Sequence, residues 1–174
     1  MSNKIFYAIM FVLILSFTGF AVLNKDSSSS KVPEGQKQPD KGRQHLAQGQ
    51  TFNYSTVFPT SGTHAEQPAP WAAYKQEIPN EIVVHNMEHG GLVISYRPDM
   101  PKATIEKLEK IFSKPYSNPK FTPSKAIVMP GSKNDRLIII RSWNRILKLD
   151  SYNEKTLTDY YLKNVNKSPE PGAA

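Results

Sequence analysis

The sequence contains no cysteine, which removes several classes of chemistry at once. Without thiols the chain has no disulfides, no thiolate ligands for zinc and no cysteine nucleophile. A lipid-modified cysteine anchor is excluded for the same reason. Chemistry at a metal ion or a reacting group must therefore come from histidine, carboxylate, hydroxyl or thioether side chains.

The chain also lacks a block of basic residues, although its formal net charge is +7. Its lysines are distributed along the whole sequence, and no basic face is interleaved with aromatic residues. Nucleic-acid binding is therefore not predicted. The positive charge is typical of a solvated surface, or of one that meets an envelope protein or an anionic surface such as lipid headgroups.

A long apolar segment stands near the N-terminus. Residues 5–23 contain no charged side chain. As a helix they would extend about 28 Å, which approaches the thickness of a bilayer's hydrocarbon core. We predict a transmembrane anchor at residues 1–24, with a signal sequence as the alternative. The protein is then expected at the cell membrane as a single-pass protein, with its main domain extracytoplasmic.

Composition predicts the organisation of the rest of the chain. Residues 25–42 are rich in Ser, Lys and Pro and almost free of apolar residues, so we predict a disordered linker. Residues 166–174 are predicted to form a flexible tail on the same grounds. Residues 43–165 contain apolar stretches separated by turn residues, which predicts one globular domain.

Hydrophobic patterning predicts the elements of this domain. Strands are expected at residues 92–96, 125–129 and 136–143, while residues 145–149 either extend the sheet or begin the next turn. Helices are expected at residues 81–89, 101–113 and from Ser151 to about residue 165, the first of them only narrowly preferred over a strand. Because these elements do not alternate regularly, we predict an α+β fold with a small antiparallel sheet and helices packed on one face.

The most informative motif joins two histidines to a carboxylate. His85 and His89 lie four residues apart, a spacing that points both rings to one side of either a helix or a strand. Neutral imidazole is a common ligand of zinc and copper. The sequence therefore predicts a copper or zinc site whose ligands are His64, His85, His89 and Glu88. His45 is an outlying candidate.

The same motif allows two other interpretations. His85-x-x-Glu88-His89 matches an inverted zinc-peptidase signature, in which the glutamate activates water, and this would make the protein a metal-dependent hydrolase. Alternatively, the histidines and Glu88 form a structural network in a non-catalytic interaction module of the cell envelope. Met87 would add a thioether ligand that favours copper(I) if the segment were a strand.

Three stretches and two single residues of the chain carry a family resemblance: GRQH at residues 42–45, Tyr54, PTSGTH at 59–64, HNMEHGGLVISY at 85–96, and a late tryptophan, Trp143. In these the chain resembles a bacterial membrane-anchored family known as domain of unknown function 3105. The resemblance implies a single N-terminal helix, an exported α+β domain and no established activity. The chain departs from the family pattern at Met87, where leucine is more common, and at Thr63, where proline is more common.

Overall fold

The computed structural model describes residues 34–47, 49–113 and 124–173. The predicted anchor at residues 1–24 lies outside these described residues, as does the beginning of the predicted linker. No helix within the described part of the chain is both long enough and apolar enough to cross a membrane.

The described residues form an α+β fold, as predicted. Its strands are β1 (Gln36–Lys37), β2 (His45–Leu46), β3 (His64–Ala65), β4 (Leu92–Tyr96), β5 (Ala126–Pro130), β6 (Ile138–Ser142) and β7 (Arg145–Leu149). Its helices are α1 (Asn80–Glu88), α2 (Lys102–Phe112) and α3 (Glu154–Asn164). A five-stranded sheet has the order β1-β7-β6-β4-β5, and β2 pairs with β3 separately.

The main sheet is mixed, so the prediction of an antiparallel sheet is wrong. Strand β6 pairs antiparallel with both β4 and β7. Strands β4 and β5, however, run parallel, with Leu92 opposite Ala126. The connection between them contains α2, and such a helical crossover is what parallel neighbours require.

Helices cover both faces of this sheet, so the prediction that they pack on one face is also wrong. On one face, alternate strand residues such as Leu92 and Ile94 pack against α2 and α3. On the other face, Val93 and Ile127 pack against α1. All five residues of β4 are buried, and a strand that is apolar on both sides needs cover on both sides.

Helix α1 is confirmed against the alternative of a strand, although Val83 and Val84 favour a strand by propensity. Both valines are fully buried, and tertiary packing outweighs propensity in so short an element. The side chain of Asn80, the first residue of α1, makes no capping hydrogen bond. Its amide oxygen instead accepts a hydrogen bond from Arg141 Nη1 at 2.8 Å. The last helix is capped by Asn153 and not by Ser151.

The described residues on either side of the predicted domain make specific contacts. Strand β1, within the predicted linker, pairs with β7 at the sheet edge. In the predicted tail, Asn166 N donates to Gly90 O at 2.8 Å. The packed part of the described chain therefore extends beyond residues 43–165. Low apolar content, on which both predictions rested, does not prevent a backbone from pairing with a sheet edge or a helix end.

Substitutions at two leucines can test which residues belong to the core. Leu108 on α2 is fully buried, whereas Leu162 on α3 is 51% exposed. Leu108→Ala should lower the free energy of unfolding by about 2–5 kcal/mol, because it leaves a cavity in the core. The same substitution at Leu162 should change it by less than about 0.5 kcal/mol. Urea unfolding of both variants measures this, and equal effects would contradict the packing described.

Candidate metal centre

Three segments bring imidazole and carboxylate groups together. Strands β2 and β3 run parallel with His45 opposite His64, and the centroids of these two rings lie 4.8 Å apart. Helix α1 contributes His85 and Glu88 from its last turn. The ring centroid of His85 lies 5.0 Å from that of His64 and 5.1 Å from that of His45.

One ligand atom from each of four residues lies within 4.8 Å of all the others: His45, His64, His85 and Glu88. In a tetrahedral site, an ion held about 2.0–2.2 Å from each atom would place any two of them about 3.3–3.6 Å apart. A pair of these atoms 4.8 Å apart would therefore have to close by more than about 1 Å. His64 and Glu88 are 0% and 1% exposed, while the side chain of His45 is 47% exposed.

Backbone carbonyls orient two of the rings. His64 Nδ1 lies 2.7 Å from Gly62 O, and His85 Nδ1 lies 2.7 Å from Ala65 O. Because a carbonyl oxygen only accepts hydrogen bonds, each Nδ1 must carry a proton, and in the neutral form of each ring the lone pair is then on Nε2. Metal-binding histidines are typically held in this way, with one nitrogen donating to a backbone carbonyl and the other free to bind the ion.

The contact between His64 and Glu88 is close but is not a hydrogen bond. His64 Nε2 lies 2.9 Å from Glu88 Oε2, yet each atom is buried without a hydrogen-bond partner among the described residues. Buried polar atoms without a partner are rare in folded proteins, since each costs desolvation free energy. A cation between them would satisfy both atoms at once.

Hydrogen bonds join the segments that carry His45 and His64. Gly62 N donates to Gly42 O at 2.8 Å, and His64 N donates to Gln44 O at 2.9 Å. The hydroxyl of Tyr54 donates to Thr63 O at 2.6 Å. The GRQH and PTSGTH motifs are therefore two sides of one backbone-paired unit that presents its two histidines to α1.

His89 lies next to this group and not within it. Its Nε2 is 2.9 Å from Nε2 of His85, and the two ring planes are nearly perpendicular. Since Nε2 of His85 has a lone pair, His89 must be the donor of this hydrogen bond. An ion bound to His85 would compete with His89 for the same lone pair.

The structure thus brings together three of the four predicted ligands, His64, His85 and Glu88, and adds His45 in place of His89. Met87 is fully buried in the core cluster with Val83 and Val84. In a helix, residues two positions apart point to different sides, so the interpretation of Met87 as a thioether ligand fails.

Burial determines the electrostatics of His85. The pKa of His85 is lowered to about 4, chiefly by desolvation and to a smaller extent by the three neighbouring histidines, while the hydrogen bond to Ala65 acts in the opposite direction. The ring is therefore neutral at pH 7, and its Nε2 keeps the lone pair that accepts the hydrogen bond from His89.

The family described as "Protein of unknown function (DUF3105)" matches residues 45–174. The chain belongs to this family. The match begins at His45 and covers all four residues of the candidate site. No curated protein and no solved structure matches the chain. Membership therefore supports the predicted family resemblance without adding an activity.

The pKa of His85 can be tested in the metal-free protein. The ring nitrogens of His85, assigned with His85→Asn, should show no binding of a second proton in NMR spectra until the pH approaches 4. An unfolded histidine protonates near pH 6.5, so the unfolded state binds the extra proton first. Protonation of His85 in the unfolded state should therefore lower the free energy of unfolding progressively as the pH falls from about 6.5 towards 4. A His85 pKa near 6.5 would contradict the burial described.

Proposed function

We propose that this protein binds a divalent transition metal, zinc or copper, in a domain tethered to the outer side of the cell membrane. The observation that carries the proposal is the convergence of two imidazole lone pairs and a carboxylate oxygen on one buried space. His64, His85 and Glu88 hold the ion, and His45 completes the set from the solvent side.

The donor atoms define the class of metal. Three imidazole nitrogens and one carboxylate oxygen, with no sulfur, favour Zn²⁺ or Cu²⁺ over Cu⁺. A carboxylate as buried as that of Glu88 is costly without a compensating cation, and a divalent ion supplies one.

The membrane part of the proposal is supported by the uncharged run at residues 5–23. A domain tethered in this way would take its metal from outside the cytoplasm. Envelope proteins or anionic surfaces are the partners that its position and its net charge of +7 favour.

The site favours binding over hydrolysis. In the peptidase signature the glutamate faces a water molecule that it activates, while the two histidines of the motif hold the metal. Here Glu88 Oε2 lies 2.9 Å from His64 Nε2 and 3.8 Å from His45 Nε2. The carboxylate therefore takes the place of a ligand, and the hydrolase interpretation receives no support from this geometry.

The second candidate function is an interaction module in which the same side chains are structural. The hydrogen bond between His85 and His89 and the close His64–Glu88 contact favour it, because side chains that pair with one another can serve the fold through those contacts. In that case the loss of Glu88 would lower thermal stability, and added metal would change nothing.

Metal content tests the main proposal. The full-length protein, purified in detergent and loaded with zinc or copper, should retain about one equivalent by elemental analysis. Glu88→Gln should weaken binding about tenfold or more, because loss of a supporting residue already costs 10–100-fold at known sites. Glu109→Gln is the matched control: Glu109 is also buried but pairs with Lys75, and its replacement should leave binding unchanged.

Less than about a tenth of an equivalent in the wild-type protein would end the metal proposal. If Glu88→Gln then lowered the melting temperature without any metal effect, the interaction module would be favoured. Equal metal binding by Glu88→Gln and the wild type would remove Glu88 from the ligand set.

His45 and His89 lie outside the buried group formed by His64, His85 and Glu88. Their replacement should have opposite effects on metal affinity. His45→Ala should weaken metal binding about tenfold or more, since it removes a donor. His89→Ala should leave the affinity unchanged or raise it, since it removes a competitor for the lone pair of His85. Competition titrations with a chromophoric chelator measure both. The reverse order would make His89 the ligand, as the sequence alone predicts.

A further inference from the structure

The last turn of α1 carries His85 and Glu88, so the way this helix ends decides where both side chains lie. Gly90 N donates to Met87 O at 3.0 Å and Gly91 N donates to Asn86 O at 3.1 Å, which together form a Schellman motif. Gly90 has a φ of +85°, a conformation that side chains disfavour. This local motif provides hydrogen-bond donors for only some of the carbonyl oxygens at the helix end.

The next three carbonyl oxygens are satisfied from distant parts of the chain. Glu88 O accepts from Glu170 N at 3.1 Å, and Gly90 O accepts from Asn166 N at 2.8 Å. Between them, His89 O accepts from Lys125 Nζ at 3.0 Å. Helices usually leave such carbonyls to solvent or to adjacent residues, and here the C-terminal segment and one lysine take that role.

Lys125 connects this helix end to the C-terminal segment. Its ammonium group donates to His89 O and also to Pro171 O at 2.7 Å and Ala173 O at 3.3 Å. A cation at a helix C-terminus is further stabilised by the helix dipole. One side chain therefore clamps residues 166–173 against the turn that carries the candidate ligands.

The same segment also reaches the strand pair on the other side of the site. Glu170, whose amide is bound to Glu88 O, forms an ion pair with Arg43 at 3.2 Å. Arg43 precedes His45 by only two residues. At Gly90 the packing is so close that an added Cβ would lie 2.8 Å from Cα of Asn166.

We propose that Lys125 and residues 166–173 are positioning elements that cap the end of α1 and thereby hold His85 and Glu88 in place for the metal. The effect of this cap on metal binding rests on the proposed function, whereas the existence of the cap does not. Ligands held in place before the ion arrives lose less conformational entropy on binding, so the loss of the cap weakens affinity although no donor atom is removed.

The experiment compares four variants of the full chain. Lys125→Met removes the donors, Lys125→Arg restores a cation with several donors, and a stop after Val165 removes the segment. Lys155→Met is the matched control, since Lys155 lies on the surface of α3 and pairs with Asp159. Zinc affinity is measured by chelator competition, and the visible spectrum of bound Co²⁺ reports the ligand geometry. Amide hydrogen exchange at residues 89–91 is followed without metal.

Lys125→Met and the truncation should weaken zinc binding about tenfold and alter the Co²⁺ spectrum, because supporting residues at metal sites have effects of that size. Both should also speed exchange at residues 89–91 in the metal-free protein. Lys125→Arg should recover most of the affinity and the spectrum. Lys155→Met should match the wild type in every measurement.

Unchanged exchange at residues 89–91 would overturn the cap. Faster exchange with unchanged affinity and spectrum would overturn the positioning role, since the cap would then serve stability alone. A wild-type protein that binds neither zinc nor Co²⁺ would overturn the proposed function and the positioning role together, while the exchange data would still decide whether the cap exists.

Discussion

The side chains of Glu88 and His64 meet where neither reaches solvent, and Glu88 Oε2 and His64 Nε2 have no hydrogen-bond partner among the described residues. A folded chain rarely accepts that cost without compensation, because desolvating a carboxylate is expensive. Much of the surrounding structure holds this contact in place. The strand pair presents His64, the core packing of α1 presents Glu88, and carbonyl oxygens fix which imidazole nitrogen faces inward.

This arrangement explains in physical terms why the family motifs contain the residues they do. The glycine after His89 allows α1 to end in a left-handed turn. Gly91 follows because any Cβ there would collide with the ring of Trp71. The HNMEHGG segment therefore combines residues that carry chemistry with residues that let the chain turn directly behind them. The GRQH and PTSGTH motifs belong together because their backbones are hydrogen-bonded.

Local pattern predicted the elements well where burial is one-sided or complete. Helix α2 follows from its apolar period, and strands β4 to β7 follow from their apolar runs, whereas the two-residue strands β1, β2 and β3 were not predicted. Pattern failed on strand direction and on which face each helix covers. Those depend on pairing between residues distant in sequence, such as Leu92 with Ala126, for which no local signal exists. Likewise, the few apolar residues after Val165 did not reveal that Lys125 would bind that segment.

The sequence by itself determined the kind of chemistry available: imidazole and carboxylate donors without sulfur, with His85 and Glu88 spaced for one helix face. Only the tertiary structure decided the membership of the group. His45 entered it through a two-residue strand beside His64, and His89 became a hydrogen-bond donor to His85. The spacing of residues along a helix specifies the direction in which their side chains point. Which groups meet, however, depends on backbone pairing between segments that are remote in the chain.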